Sequence, residues 1–387
     1  MLREFAIGVY LTFFRIVFFL CKQFPMQHKT VFVTSFGGNT KEVVAAHQRI
    51  LGDEQRIVVL KTPESTTAFD HIKGTVLDFR VKAFFQFIKA IYHLATSSHI
   101  FIDNYYGFLA VADFKKDVVC TQLWHAAGAI KKFGLKDQNN QFRSPKALER
   151  FEAVYEKFHN VVVGSEPMRE IFQQSFGLNE DRFLKTGVPR TDFFFDAAKL
   201  EQSRESIVTD FPMIQNKKVL LYAPTYRDEE LDTAAIALDL EKMYRALSQE
   251  YILFLRLHPA VSSEFENQFP GFVFNVSYYP SINDLLIAAD ILITDYSSIP
   301  VEFSLLHKPM IFYAYDLEDY IKERGIWMSD FSKVPGPIVR TTAELICTIE
   351  QEQFNMDEVA AFCKEWNQYS DGKSSERLTH TLFPNKN

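Results

Sequence analysis

Short β-branched runs, each followed by a polar turn and then a helix-like stretch, recur in two series along this chain of 387 residues. The first series has strand-like runs at residues 30–35, 56–60, 99–103 and 118–123, with helical stretches starting at Lys41 and covering 79–96. The rhythm restarts at 160–164 and continues through 217–222, 251–257, 290–294 and 309–313. Strands alternating with helical patterns predict parallel sheets with crossover helices. Two such series predict an α/β protein of two Rossmann-like domains facing a central cleft, each of an ordinary domain's size. The expected divisions are an N-terminal segment over 1–28, a first domain over 29–192, and a second over 193–387 whose final helix crosses back. Self-similarity at solenoid periods and low-complexity stretches are both absent from the sequence.

The net charge of −7 excludes a general nucleic-acid binder, since polyanion binding is led by clustered Lys and Arg. Four cysteines, Cys21, Cys120, Cys347 and Cys363, lack metal-ligand spacing and suit a reducing cytoplasm. Phe is unusually frequent, at 38 residues, which predicts large cores and some apolar surface meant for lipid. The N-terminus supplies such a surface. Its apolar run is short for a membrane span and is broken by Arg15, and no small-residue cleavage site follows. On a helical wheel Glu4, Gly8, Thr12, Arg15 and Lys22 form one stripe, and apolar residues fill the rest. That pattern predicts a helix lying in a membrane interface, with Arg3, Phe13, Phe14, Arg15, Phe18 and Phe19 at the bilayer; a helix buried on the protein's own core is the competing account. A second basic-aromatic stretch, 79–96, offers Arg80, Lys82, Phe84 and Phe85 to the same surface, although a crossover helix would bury most of its rings.

Open parallel sheets bind ligands beyond the carboxyl ends of their strands, and several chemically capable residues fall there. Asp295, Tyr296, Ser297 and Ser298 follow the strand at 290–294 and lead into a helix with Pro300 in its first turn. Such a helix start suits a phosphate, and equally a simple cap. Glu302, one turn on, suits a ribose hydroxyl or a favourable charge at the helix start. Arg256 and His258 share one side of a strand end, where a guanidinium fork and an imidazole suit a pyrophosphate. His125 follows the strand at 118–123 and precedes small residues and an expected helix start, which suits a general base. Lys131 and Lys132, one turn further, suit an anionic acceptor or lipid headgroup, or a solvated face. Thr225 and Arg227 follow the strand at 217–222 and suit phosphate, and Asp316 follows the strand at 309–313. The sequence has no Gly-rich P-loop, HExxH, GxSxG, or DxD after a strand, so helix ends, Arg and His are expected to replace a metal at any diphosphate.

Taken together, the TDYSS segment with its continuation KPMIFYAYDLEDY, the RLHP strand end, the APTYRD turn and the WH motif resemble the CDP-glycerol glycerophosphotransferases of teichoic acid synthesis, in that family's order. The resemblance spans roughly residues 30–377. It implies a GT-B fold with an acceptor-side N-terminal domain, a CDP-glycerol-binding C-terminal domain, metal-independent transfer without a cofactor, and release of CMP. His125 and His258 match the family's two essential histidines. Trp124-His125-Ala126-Ala127-Gly128, with Asn104 in the upstream IDNYY, is similar to the primase branch rather than to polymerases, which read Trp-His-Gly-Thr. The implied acceptor is the ManNAc of undecaprenyl-diphosphate-GlcNAc-ManNAc, at the cytoplasmic face of a bacterial membrane with an anionic surface. Other teichoic acid enzymes are expected as further partners. A polymerase of the same family is the near alternative. A UDP-GlcNAc 2-epimerase-like isomerase and a non-catalytic membrane scaffold are the alternatives from other classes.

Overall fold

The computed structural model describes residues 2–65, 67–70, 72–225, 227, 236–257, 265–328 and 331–384, with residues 2, 3 and 53 in backbone only. The chain divides into two compact units. The first comprises Met1–Ala126, Phe133–Asp192 and Gln368–Asn387; the second comprises Ala127–Lys132 and Phe193–Asn367. Relative to the expected division at 192/193, a short segment after His125 therefore joins the second unit, and the last twenty residues join the first.

In the first unit the strands are β1 (Gln27–Thr34), β2 (Arg56–Lys61), β3 (Gly74–Asp78), β4 (Ser97–Ile102), β5 (Val119–Gln122), β6 (Asn160–Val162) and β7 (Phe183–Leu184). They form one sheet in the order β3-β2-β1-β4-β5-β6-β7, parallel throughout. The second unit holds β8 (Lys218–Tyr222), β9 (Tyr251–Leu255), β10 (Val273–Asn275), β11 (Ile291–Thr294), β12 (Met310–Tyr313) and β13 (Ile338–Val339). These pair as β10-β9-β8-β11-β12-β13, again all parallel. Each sheet starts near its centre, winds outward one way, then reverses; the reversal lies between β1 and β4 in one and between β8 and β11 in the other. Central strands covered on both faces read as continuous apolar runs, as in Ile291–Thr294 and Met310–Tyr313, whose residues are all buried. Strands β3, β7, β10 and β13 escape a pattern reading because they are short outer strands, some of two or three residues.

The N-terminal residues form α1 (Leu2–Lys22), long and apolar enough to cross a membrane, with only 17% of its apolar stretch buried. Its orientation corrects the helical-wheel expectation. Phe14 and Phe18, expected at a bilayer, are buried at 0% and 2% exposure. Phe14 stacks on Phe108 at 4.9 Å, and Phe18 meets Phe114 edge-on at 5.7 Å. Only the two ends of the polar stripe turn toward the protein, where their charges find partners: Glu4 pairs with Arg150 at 3.2 Å and Lys22 with Asp113 at 2.6 Å. The exposed residues are mostly apolar, namely Phe5, Val9, Ile16, Phe19 and Leu20, with Gly8, Thr12 and Arg15 of the stripe also exposed; Phe13 is half-buried. The side chain of Arg3 lies outside the described residues.

After α2 (Gly38–Leu51), the stretch expected to be one helix over 79–96 is a turn followed by α3 (Phe84–Ala95). Phe87 and Ile91 are buried in the core, while Phe84 and Phe85 are 50% and 87% exposed. Lys82 is exposed, but Arg80 is held in a fork by Asp78 and so offers less charge than expected. Phe84 lies 6.3 Å from Phe13 of α1, so the exposed rings of both helices form one apolar face. Truncating Phe14 to Ala should cost about 3–5 kcal/mol in urea unfolding, as for a fully buried ring. Phe85→Ala should stay within ~0.5 kcal/mol, as for an isolated surface change.

Candidate active site

The carboxyl ends of the central strands carry the polar residues, as the topology requires. In the first unit Asp103 follows β4 and is fully buried. It accepts hydrogen bonds from the backbone N–H of Ser35, Phe36 and Gly37 at 2.9, 3.1 and 2.9 Å, and from the hydroxyls of Thr34 and Tyr106 at 2.6 and 2.9 Å. The loop after β1 is thereby folded around one carboxylate. Gly37 serves this turn at φ +82°, where a Cβ would lie 2.1 Å from Thr67 Oγ1.

Asp103 also positions His125, through its backbone carbonyl, which lies 3.2 Å from Nδ1. A protonated Nδ1 donating to that carbonyl leaves the Nε2 lone pair available as a base. The ring is sandwiched between Phe36 and Trp124, with centroids at 4.2 and 4.3 Å. Burial there lowers its pKa to about 4, against the opposing pull of Asp103, so the imidazole is neutral at pH 7. The preceding residue, Trp124, has φ 61°, a left-handed conformation costly for a bulky side chain. Its turn is pinned from several directions. Trp124 N–H donates to Gln122 Oε1 at 2.8 Å, and the Asn39 amide donates to the Trp124 carbonyl at 2.8 Å. Arg190 donates to the His125 carbonyl at 2.6 Å. The indole packs on Phe133 at 4.7 Å and meets Phe172 edge-on at 5.2 Å. Asn104 uses its side chain locally, accepting from Tyr105 N–H at 2.8 Å.

In the second unit the same device recurs. Asp295 follows β11, is 1% exposed, and accepts from the N–H groups of Thr225 and Tyr296 at 2.8 and 2.6 Å. Arg227 bridges Asp295 at 2.6 Å and grips Asp316 with two bonds of 2.9 Å. Its guanidinium carbon is 5.3 Å from the rings of Tyr296 and Tyr315 and 5.2 Å from that of Tyr320. Burial opposes the charge on Arg227, but the bonds to Asp316 and Asp295 outweigh it and hold the pKa above the usual value. Tyr296 stacks on Tyr320 at 3.9 Å and donates its hydroxyl to Asp316 at 2.9 Å. Lys131 joins this cluster, 5.8 Å over the Tyr320 ring, and burial lowers its pKa to about 8 despite Asp295.

The structure thus gathers Thr225, Arg227, Asp295, Asp316 and Lys131, with Ser297 and Ser298 continuing the turn. Thr225 Oγ1 is buried and has no hydrogen-bond partner among the described residues. Several expectations change in detail. Residues 126–133 are not helical; Lys131 bridges Ile326 and Lys132 N–H donates to the Gly325 carbonyl, so these lysines do not lie on a solvated helix face. Ser297, rather than Ser298, accepts the N–H of Ile299, and the helix that follows, Ile299–Phe303, is a single turn. Glu302, read as a ribose contact, is only 3% exposed. Arg256 donates to the carbonyls of Val276 and Tyr279 at 2.9 and 2.6 Å, so part of its fork fastens a loop instead of a phosphate. His258 lies outside the described residues. Asp103, Asn39, Arg190, Tyr315 and Tyr320 were not singled out from sequence, and Tyr296 was read only as part of its turn. The matching runs HIFID and DILITD, each a buried strand closed by Asp, carried the signal for Asp103.

Fold and geometry define an α/β enzyme with two parallel sheets and a polar site built at the reversal point of each. The family model described as CDP-Glycerol:Poly(glycerophosphate) glycerophosphotransferase matches residues 16–384, and the chain belongs to that family. A teichoic acid glycerol-phosphate primase of Bacillus subtilis (strain 168) is 36% identical over 386 residues, covering 98% of each chain. A teichoic acid poly(ribitol-phosphate) polymerase of Bacillus spizizenii is also 36% identical, over 332 residues that cover 84% of this chain and 53% of the polymerase. Among solved structures, the wall teichoic acid polymerase TagF superposes with a TM-score of 0.81 at 23% identity, covering 97% of this chain and 95% of that one.

The shifted imidazole sets a direct check. The His125 ring resonances should titrate with a midpoint near 4 in NMR, and a midpoint at 6.5 would contradict the burial described. Because the native pKa lies below the unfolded one, the unfolded chain takes up the proton first as pH falls. Stability is therefore complete above pH 6.5 and declines from there toward pH 4. His47, His93 and His99, each also lowered to about 4, chiefly by burial, add to the same acid decline.

Proposed function

We propose that the chain is a glycerol-phosphate primase, moving glycerol phosphate from CDP-glycerol to the ManNAc of undecaprenyl-diphosphate-GlcNAc-ManNAc and releasing CMP. The observation that carries this reading is the His125 ring, tethered at Nδ1 by the Asp103 carbonyl with Nε2 left as the base. Near-complete mutual coverage with a protein named as a primase supports this branch; the matched polymerase has nearly half its length outside the match. We read the molecule as a GT-B-type transferase in which the first unit serves the acceptor and the second the donor.

In this reading the acceptor hydroxyl oxygen attacks the β-phosphorus of CDP-glycerol in line. His125 Nε2 takes the hydroxyl proton, the bond from the β-phosphorus to the bridging oxygen breaks, and CMP departs with that oxygen. Lys131, Thr225, Ser297 and Ser298, with His258 and Arg256, stabilise charge on the phosphoryl group and the departing CMP. Arg227 acts as a positioning residue, fixing Asp295 and Asp316. These cations stand in for a divalent metal at the diphosphate, so transfer needs none. The apolar face of α1 and the Phe84–Phe85 corner of α3 rest on an anionic bilayer, with Arg15 and Lys82 at its headgroups. This docking brings the enzyme to a lipid-tethered acceptor at the cytoplasmic face.

His125→Ala should lower CMP release by roughly 100–10,000-fold in a protein that still folds. Near-wild-type turnover would remove His125 from the mechanism. Turnover should persist in excess EDTA; complete loss restored by magnesium would overturn the metal-free account. For docking, deletion of α1 would uncover the contacts of Phe14 and Phe18, so point changes test it better. Ile16→Ser with Phe19→Ser should weaken sedimentation with anionic vesicles and slow transfer to long-chain acceptors, while sparing soluble ones. Equal sedimentation of variant and parent would exclude this face.

A further inference from the structure

A groove of about 560 Å³ runs between α1 and α4 (Pro145–Tyr155), within the first unit and apart from the residues assigned above. Its walls are of two kinds. Tyr10 and Leu11 of α1, Tyr105 and Phe151 give an aromatic and aliphatic lining, and Phe142 stands 81% exposed at its edge. Arg143 and Arg150 supply two guanidinium groups to the same space. Arg143 lies over the Phe151 ring at 5.0 Å and reaches Asp137 only at 3.5 Å. Arg150 is 17% exposed and holds both carboxylate oxygens of Glu4, at 3.2 and 3.3 Å. The Tyr105 hydroxyl is buried beside Arg150, whose guanidinium partly offsets the upward push of burial on its pKa.

We infer that this groove binds the polyprenyl diphosphate of the acceptor, with the diphosphate on Arg143 and Arg150 and the first isoprenyl units along Tyr10, Leu11, Phe142 and Phe151. The inference rests on the primase reading for the acceptor's identity. Two guanidinium forks lined by rings match a diphosphate joined to an unsaturated hydrocarbon: the forks bind paired oxygens, and the rings bind the chain. A sugar nucleotide would leave the apolar wall unused, and a plain acyl chain would leave the two guanidinium groups unused. The Glu4 carboxylate occupies Arg150 in the two-oxygen geometry that a phosphate would take, and lies on a helix whose neighbouring face is apolar and exposed. A lipid arriving along that face meets Glu4 first, and its diphosphate displaces the carboxylate. Position relative to the chemistry also fits. Tyr105 is two residues from Asp103, a span of at most ~7 Å, and the Asp103 carbonyl holds His125.

Farnesyl diphosphate binding to the full-length protein, measured by calorimetry beside farnesol and inorganic pyrophosphate, tests the groove. Farnesyl diphosphate should bind at least ~10-fold more tightly than either fragment. Arg143→Gln and Arg150→Gln should each weaken it by ~10-fold or more. Arg150→Gln also loosens α1, so Phe142→Ser, at an exposed position, supplies the second arm: it should weaken farnesyl diphosphate while leaving pyrophosphate unchanged. Equal binding by parent and all three variants would overturn the inference, as would competitive displacement by CDP-glycerol, which would put the anion in the donor site. The primase reading is scored separately, by CMP release with a soluble disaccharide glycoside that lacks both lipid and diphosphate. Failure there with farnesyl diphosphate still bound would remove the primase and keep the groove; the reverse pair of results would remove only the groove.

Discussion

A buried carboxylate just beyond a central strand organises each half of this protein. Parallel strands end with loop N–H groups that no neighbouring strand satisfies, and at the reversal point two loops diverge and leave a gap. Asp103 fills that gap in the first unit with five hydrogen bonds, and Asp295 fills the matching gap in the second. Each carboxylate converts a flexible loop into a fixed one, because donors spread over several residues converge on one anion. The functional side chains are set one step further out. His125 hangs on the carbonyl of Asp103, and Arg227 on the carboxylate of Asp295. Removing either Asp would therefore disorder a site without removing any group that meets substrate.

The two sites use that anchor with opposite electrostatics. Around His125 burial between stacked rings makes ionisation costly, with Asp103 opposing that shift and Arg190 adding to it, so the ring stays neutral with a free lone pair. Around Arg227 charge is concentrated, with two carboxylates on one guanidinium inside a cage of tyrosines. Breaking a buried pair by deleting one partner typically costs about 3–5 kcal/mol, since the remaining charge is stranded. Arg227 is thus a structural keystone before any substrate arrives. Lys131, with its lowered pKa and its place over Tyr320, is a more available cation, since its contacts here are a ring face and longer-range charges.

Both sheets and most strand-end residues were legible because parallel strands are apolar on both faces and the polar residue after each is abrupt. The strand at 290–294 and its following Asp-Tyr-Ser-Ser show this well. What was illegible depended on partners distant in sequence. Arg190 reaches His125 from 65 residues away, and nothing in GVPRTD announces it. The tyrosines at 296, 315 and 320 become a cage only when Arg227 is folded between them. The outer strands carry too few residues to show a period. The segment after His125 looked helical from its small residues, but backbone bonding of Lys132 and Trp327 to partners outside any helix holds it extended.

The placement of α1 is the clearest case of a pattern read correctly and assigned correctly only in part: Phe19 and Arg15 are exposed, but Phe14 and Phe18 are buried. A wheel shows a polar stripe and an apolar remainder, but it does not say which of them faces the protein. Here the rings of Phe14 and Phe18 supply the adhesion, each with about 1.5–3 kcal/mol of burial. The ion pairs of Glu4 and Lys22 add little energy, because partly exposed pairs give about 0–1 kcal/mol. Yet those pairs flank the same buried edge, and so they fix the angle at which the helix sits. A turn of one residue, ~100° about the axis, would leave both charges without partners and lift both rings from their contacts. The helix is therefore locked with Phe5, Val9, Ile16 and Phe19 outward. No element of the described fold covers that face, and an aqueous setting would penalise it. That exposed face is the one assigned to the bilayer in the docking proposed above, and the Glu4–Arg150 pair that helps orient it lines the arginine-bearing groove.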